Sequence, residues 1–591
     1  MNIKKYIAEL KRRHVFKAGI AYLVVAWLIA QIASIVLPTF EAPPFVMKTL
    51  LFILIIGFPI NLVFAWIYDV TPEGIKKTKS LENKNENSNL KSGRLNKVII
   101  ASLSLAVIIL LFNQFGNNSS GNVVDTDSHE ISTKFIGVLP FSNTKPDLET
   151  DYFGFAIADQ IIGDLVYLKN IIVRPSSSIR KYEKEVIDSK TAGDELNVDY
   201  ILTGNFLMEG NIIRMNVELV EVSTNEIKWR DRIEVDFESA FELQDIIAKH
   251  VVKGMNAQFS EKEISRIGKD LSSNPLAYEY YLRGVSYPHT NEGDEMAIEM
   301  FNKSIELDSI YAPAYDNLGT RIHNLAQYGL LDPEETKKAE TAYIKALSIN
   351  EELLSALGHL AKIYTETART EKAVELTKQM LEINPNNADA HFALGYIYRY
   401  AGMNTYAIQE MEKAIAIDPM NPGFQSIGIT YMWAGEYEKA FEVLKNYAPS
   451  ARTYFGIQGL ALFREGKKEQ AIKYFERVIE LEPEGLSALM VAATKAYIED
   501  EIEEGIAIAS KFEQYDVEDA EAWYLNAGNY GLLGDRDGCI RCLQRAVDGG
   551  FFNYPLIQTD FFLDSVRDEP EFHKILESAK QKHNAFKKMF F

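Results

Sequence analysis

The chain is short of what marks a disulfide scaffold, a metal centre or a phosphate site. Two cysteines and nine histidines stand among 591 residues, too few Cys for a disulfide framework, and no two His share the helical spacing of a zinc site. A Gly-rich phosphate loop and a Gly-x-Ser-x-Gly elbow are absent too. The expectation is therefore a non-enzyme with no cofactor and no metal. Positive charge is scarce: 62 Lys plus Arg face 83 Asp plus Glu, a net of −21. Residues 1–115 hold 14 basic and 6 acidic residues, leaving 48 and 77 for the rest, net −29. So acidic a region lacks the clustered Lys and Arg that neutralise phosphates, which argues against nucleic acid as the main partner.

Charge is missing altogether from three apolar stretches, 18–37, 49–68 and 98–115, the first two each 20 residues long, the length of a bilayer-spanning helix. The third is shorter in its apolar part and ends against Asn113 and Gln114. Lys4, Lys5, Lys11, Arg12, Arg13 and Lys17 precede the first stretch, while the segment 38–48 holds only Lys48. The segment 69–97 is basic again, and from Phe115 no Lys or Arg follows until Lys134. Positive residues stay inside, so the expected topology puts 1–17 and 69–97 in the cytoplasm and 116–591 on the far side. The apolar core of the first stretch exceeds that of a signal peptide and no small-x-small site closes it, so an uncleaved anchor is preferred. Asn61, inside the second, is read as an interhelical packing residue.

Residues 116–133 are rich in Gly, Ser and Asn, the composition of a flexible tether. A small α/β (α+β) domain is expected over 134–258. Its elements read as a buried strand at 134–141, an amphipathic helix at 150–167, a strand at 171–174, a helix after a serine turn, three extended runs between 200 and 236, and a helix at 239–257. Glu209-Gly210-Asn211 reads as a hairpin turn. Ser176-Ser177-Ser178, flanked by Arg174, Arg180 and Lys181, has the donors of an anion cradle and also the composition of an ordinary helix cap, which is preferred.

From residue 275 a period takes over. Ala297, Ala339, Ala373, Ala407, Ala440, Ala471, Gly505 and Cys539 form a column of small residues spaced 42, 34, 34, 33, 31, 34 and 34 apart. A period near 34 means stacked helix pairs, a binding surface rather than a catalytic pocket. About eight such pairs fit 275–548, and capping helices fit 549–591. Gly284, Gly319 and Gly358 precede their small partners by 13, 20 and 15 residues where Gly395 precedes Ala407 by 12, so longer turns are expected in the first three pairs. The Cys-x-x-Cys of Cys539 and Cys542 suggests redox chemistry, but Cys539 stands in the small column, and packing is the preferred reading. A concave groove of first helices is the expected binding place, with Phe392, Tyr396, Arg399, Tyr400, Met432 and Trp433 as its peptide anchors. The alternative for these large side chains, packing between repeats, is the preferred reading, because large aromatics also fill gaps there.

The text ELKRRHVFKAGIAYLVVAWLIAQIASIVLP with GFPINLVFAWIYDVTPEGIKK resembles the membrane module of bacterial proteins that join a TolB amino-terminal-like, or FlgO-like, domain to tetratricopeptide repeats. KFIGVLPFSN, VRPSSS, DELNVDYILTGNF and IIRMNVELVEVSTNEIKWRDRI resemble that domain's motifs in order. The resemblance implies a multi-pass protein of the bacterial inner membrane with a periplasmic TolB-like domain and an all-α tetratricopeptide solenoid. It implies no reaction. Relatives often carry a winged-helix DNA-binding or nucleotide-cyclase domain in the cytoplasm, where this chain offers only 1–17 and 69–97. Two functions remain: a membrane-tethered periplasmic scaffold for a peptide or protein, or a sensor relaying a periplasmic binding event to a separate cytoplasmic protein.

Overall fold

The computed structural model describes residues 133–591 except 148, 184–186, 237–240, 255–258, 328–332, 420, 446–451, 484 and 516; before residue 133 it describes parts of 22–33 and 54–58 and two short strands. The chain divides into two units, Met1–Thr126 and Asp127–Phe591.

In the first unit, the Tyr22 hydroxyl donates to the Leu54 carbonyl at 2.8 Å, and its ring lies 5.9 Å from Phe58. Parts of the first two apolar stretches are thus helical and touch. Strands β1 (Tyr68–Thr71) and β2 (Gly74–Lys77) pair antiparallel with Val70 opposite Ile75, a hairpin inside the segment read as a basic loop. Among the described residues no helix is long and apolar enough to cross a membrane. Much of the first two stretches, and all of the third and of 116–132, lie outside the described residues.

The second unit opens with β3 (Lys134–Val138), β4 (Ser142–Asn143), α1 (Tyr152–Leu165), β5 (Ile171–Val173), α2 (Ser176–Ile179), α3 (Ser189–Leu196), β6 (Tyr200–Glu209), β7 (Ile212–Glu221), β8 (Glu226–Asp236) and α4 (Phe241–Gly254). The sheet order is β5-β3-β6-β7-β8, with β4 also on β6. Strands β5, β3 and β6 are parallel, joined through helices as parallel neighbours must be. Strands β6, β7 and β8 form an antiparallel meander, turned at Gly210 with φ +63°. Helix α1 differs from the amphipathic reading, since 11 of its 14 residues are buried. The cause is a second neighbour: α6 (Pro275–Ser286) packs on the face turned away from the sheet, and the Gln160 amide donates to the Tyr281 hydroxyl at 3.0 Å. One apolar core therefore runs from Ile136 and Phe206 through α1 to Tyr281 and Phe301.

Beyond the short α5 (Glu261–Ile264), eight helix pairs follow among the described residues. They are α6 with α7 (Asn291–Leu307), α8 (Ala312–Gln327) with α9 (Pro333–Ile349), α10 (Leu354–Glu366) with α11 (Thr370–Ile383), and α12 (Ala388–Tyr400) with α13 (Asn404–Ile417). Then come α14 (Ile427–Trp433) with α15 (Tyr437–Leu444), α16 (Arg452–Arg464) with α17 (Lys468–Leu481), α18 (Leu486–Ile498) with α19 (Ile502–Phe512), and α20 (Ala520–Leu533) with α21 (Arg536–Asp548). The small column lies buried on the second helices. Its partner glycines serve a purpose the spacing did not disclose: a methyl on Gly284, Gly395 or Gly459 would meet Phe301, Met411 or Phe475 at 2.5–2.6 Å. Each of these large residues sits one turn beyond its small residue, so the glycine is the hole for that side chain.

Of the three longer turns expected, that between α6 and α7 has four residues; residues 328–332, between α8 and α9, lie outside the described residues; and α10 and α11 are three apart, as are the helices of the next four pairs. Ala361, fully buried twelve residues before Ala373, takes the place assigned to Gly358. The turn itself is periodic: Ala368, Gly402, Gly435, Gly466, Asp500 and Gly534 all have φ between +60° and +81°. The end segment, α22 (Tyr554–Thr559) and α23 (Pro570–Phe590), does more than cover the last pair. It reaches back to α12, where the Phe552 amide donates to the Tyr400 carbonyl at 3.0 Å and the Asn553 amide to the Arg399 carbonyl at 2.9 Å. Lys582 donates to the Val547 carbonyl at 2.7 Å.

Candidate functional site

The inner helices of the solenoid, the α/β domain and the start of α20 line an open cavity of about 1780 Å³. The loops between repeats hold the segment 270–273 and the edge of the α/β domain. Asp308, Asn350, Asn384 and Asp418, all buried, end the first four pairs. Asp308 accepts from the Ser272 hydroxyl at 2.7 Å and from the Ser273 amide at 3.1 Å, and the Asn350 amide donates to Asp270 at 2.7 Å. The Asn384 amide donates to the Val166 carbonyl at 2.8 Å, and Asp418 pairs with Arg174 at 2.8 Å. A capping position, reused in four successive repeats, becomes a ladder of contacts.

Ile162, Gly163, Val166, Pro175 and Ser176 are the domain's contribution to the cavity wall. The opposite wall is mixed, with apolar Phe392, Ile429, Leu486, Met490 and Leu525 beside ionisable Lys362, Glu366, Arg399, Glu518, Asp519 and Glu521. The polar groups are linked. Tyr396 donates to Glu366 at 2.8 Å and Tyr400 donates to Asp519 at 2.5 Å, with the two hydroxyl oxygens 2.9 Å apart. Arg399 pairs with Glu521 at 2.8 Å, and Glu521 also accepts from the Trp433 indole at 2.7 Å. Burial pushes the Glu366 carboxyl up to about 7, and the Asp519 and Glu518 charges add to it while Lys362 opposes. Burial likewise raises Asp389 and Glu521, and it holds His323 well below the ordinary imidazole range. Among the described residues no cluster could hold a metal ion.

Three of the six expected anchors, Phe392, Tyr396 and Arg399, border this cavity. Phe392 stacks on Phe424 with ring centroids 4.7 Å apart. Arg399, only 1 % exposed, is spent on Glu521 and the Ser426 carbonyl. Tyr400, Met432 and Trp433 are corrected: they are buried in packing, not displayed in a groove. The reason is the return of the chain, which seats α20 and Phe551 against them, with Trp433 5.7 Å from Tyr524 and Tyr400 5.3 Å from Phe551. Sequence reasoning missed Glu366, Glu518, Asp519 and Glu521. A signal existed for three of them: five carboxylates in nine residues, 513–521, just where one repeat meets the next.

The serine turn is structural. Ser176 donates to Asp159; Arg180 donates to the Val285 and Ser286 carbonyls and covers the Phe155 ring at 3.8 Å; Lys181 pairs with Glu195. Arg174, fully buried, donates to the Leu196 and Asn197 carbonyls as well as to Asp418. Cys539 and Cys542 are unbridged and buried, and burial pushes both thiols up to about 12, as packing residues should be.

Residues 132–250 match the sequence model described as the HilA/YgeH-like transcriptional regulator, second domain. Residues 356–390, 376–409 and 453–484 match tetratricopeptide repeat models. The transcriptional regulator HilA of Salmonella typhimurium is 22% identical over 380 residues, 62% of this chain and 66% of that protein. A putative adenylate cyclase 3 of Rhizobium meliloti is 28% identical over 185 residues, 31% of this chain and 32% of that protein. The chain thus spans about a third of the cyclase and just under two thirds of the regulator. A solved structure of Pseudomonas aeruginosa PilF aligns with 37% of this chain and 98% of its own at 24% identity, with a TM-score of 0.26. Residues 275–548 are a tetratricopeptide-type helical solenoid, preceded by a small α/β domain.

Proposed function

We propose that the protein is a non-enzymatic scaffold whose repeats hold a peptide or protein segment, tethered to a bacterial inner membrane by three helices at 18–37, 49–68 and 98–115, with 116–591 in the periplasm. The observation that carries the binding reading is the cavity of about 1780 Å³. Small-molecule sites run to about 300–1,000 Å³, so this space suits a length of chain. Support for the membrane reading is the charge asymmetry about the apolar stretches and the exposure of Leu23, Val25, Trp27, Leu28 and Ile29, 39–62 % each, side chains that suit contact with lipid. The segment 134–258 is read as a TolB-like domain that docks on the repeats and roofs the cavity.

A photocrosslinker placed at Phe392 in the full-length membrane protein should capture a partner, and the capture should fall on a Tyr396→Phe, Ile429→Ala background. No capture from any cell fraction would overturn the binding reading. Alkaline phosphatase fused after Phe591 should be active, whereas active β-galactosidase at the same point would overturn the topology. The sensor reading draws on the names of two relatives, a transcriptional regulator and a putative adenylate cyclase. Replacing 69–97 by a neutral linker separates the two readings, because a scaffold keeps its partner while a sensor loses its output.

A further inference from the structure

The cavity has an unbalanced wall. Six of the acidic residues that line it, Glu366, Asp389, Glu482, Glu518, Asp519 and Glu521, face three basic ones, Lys362, Lys511 and Arg399. Arg399 is bound to Glu521 at 2.8 Å and donates also to Ser426 and Thr430, so its charge is committed. Lys362 is 40 % exposed at its side chain and stands 4.0 Å from Glu366, beyond hydrogen-bond reach. Glu366 itself is 6 % exposed, with the Tyr396 hydroxyl at 2.8 Å as its short contact. Its own burial raises its carboxyl to about 7, and the charges of half-buried Asp519 and exposed Glu518 add to that rise. An incoming cation would oppose that rise, whereas an incoming carboxylate would add to it. Next to this corner the wall turns apolar, through Phe392, Ile429, Leu486 and Met490.

We propose that the occupant is a peptide segment presenting a Lys or Arg side chain flanked by apolar residues, the cation seated at Glu366, Glu518 and Asp519 and the apolar neighbours against Phe392, Ile429 and Met490. The inference rests on the peptide-binding reading above and adds the chemical class of the peptide. The four-carbon stem of Lys or the three-carbon stem of Arg passes along apolar surface while its head finds the carboxylates, which suits a wall that changes character over one side chain. Acidic segments and free C-terminal carboxylates are selected against.

The test uses the full-length chain in detergent and three acetylated, amidated decapeptide pools, randomised over apolar and small residues and fixed at the centre as Lys, norleucine or Glu. Binding is read by fluorescence anisotropy. The Lys pool should bind about tenfold more tightly than the norleucine pool, the scale of one charge-assisted contact, and the Glu pool most weakly. Glu366→Gln keeps an acceptor for Tyr396 and should erase most of the Lys advantage while leaving norleucine binding unchanged; Glu518→Gln, at an exposed position, should erase part of it. Equal binding of the three pools, or a Lys advantage that survives both substitutions, overturns the cation assignment and leaves the scaffold reading standing. If no pool binds at all, the peptide-binding reading falls and this inference with it.

Discussion

The first four helix pairs and the last four are built on one plan yet differ in the loops that end each pair. In the first four those loops carry buried polar groups, Asp308, Asn350, Asn384 and Asp418, in addition to buried helix groups such as Arg321 on Asp294 at 2.6 Å. In the last four the buried polar groups lie on the helices and in the cap, with Arg464 bound to Asp560, Thr494 to Asn529 at 2.7 Å, and the Asn526 amide to the Ala509 carbonyl. A buried polar group must be satisfied by whatever covers it. The loops of the early pairs are covered by the segment 270–273 and the α/β domain, and the inner helices of the late pairs by their neighbours and the returning C-terminal segment. The location of buried polarity therefore tells which surface of a repeat is already occupied, and the surface left over is the cavity.

The comparison breaks hardest at Arg464. Both of its terminal nitrogens lie 2.9 Å from Asp560, Tyr524 donates to the same carboxylate at 2.6 Å, and its guanidinium sits 4.1 Å from the centre of the Phe562 ring. Arg464→Leu leaves Asp560 buried and uncompensated, at a cost of about 3–5 kcal/mol. The urea midpoint of the full-length protein should fall accordingly, and hydrogen exchange should rise along α22 and α23. An unchanged midpoint would mean that the late repeats stand without their cap.

Arg174 makes the matching test in the early repeats. Its bonds to Asp418 and to the Leu196 and Asn197 carbonyls at 2.7–2.8 Å join repeat four to the end of α3. Arg174→Met should cost about 3 kcal/mol, with new exchange confined to 188–199 and 417–424. If exchange instead rises through α20 and α21, the two halves are not stabilised separately.

The period of the solenoid was legible because one small residue per repeat must recur wherever two helices cross, and the α/β element order was legible from alternation and turn residues. Closure was not. Asp418 and Asn384 read locally as ordinary loop polar residues, and nothing within 30 residues of either announces Arg174 or Val166 as its partner, some 240 and 220 positions earlier. Tyr400 and Trp433 failed as groove residues for the same reason: their register was right for an inner helix, but register cannot say that α20 comes back to cover them. The acidic run at 513–521 was legible, but its meeting with Glu366 was not, because two repeats far apart in sequence each supply part of the corner.

That corner sets a smaller, pH-dependent effect. Glu366 is raised from 4.5 to about 7, so between those values the unfolded chain loses the proton while the folded chain keeps it, and stability falls as pH rises through that window. Glu366→Gln removes the penalty. The two proteins should unfold alike at pH 4.5, and above pH 7 the variant should be the more stable by about 1–3 kcal/mol, the low end applying if water in the cavity screens the charge. A gap that does not widen with pH would mean that the corner is already compensated.

The smallest effect lies in the turns between paired helices. At equivalent positions, Gly402, Gly435, Gly466 and Gly534 have φ of 75–81°, but Asp500 stands there at φ 65°. A left-handed conformation costs a non-glycine residue about 1–2 kcal/mol, part of which glycine returns through its greater freedom when unfolded. Asp500→Gly should therefore raise stability by about 0.5–1 kcal/mol, seen as a higher urea midpoint with unchanged slope. Ala368→Gly provides the contrast, because Ala368 packs against Gly550: a methyl there would lie 2.9 Å from the Ala368 backbone. Its turn is held by the returning segment as well as by its own helices, so the gain from glycine should be smaller at 368 than at 500. Equal gains would show that the C-terminal segment adds nothing to the early repeats, and the contrast between the two halves would then rest on the α/β domain alone.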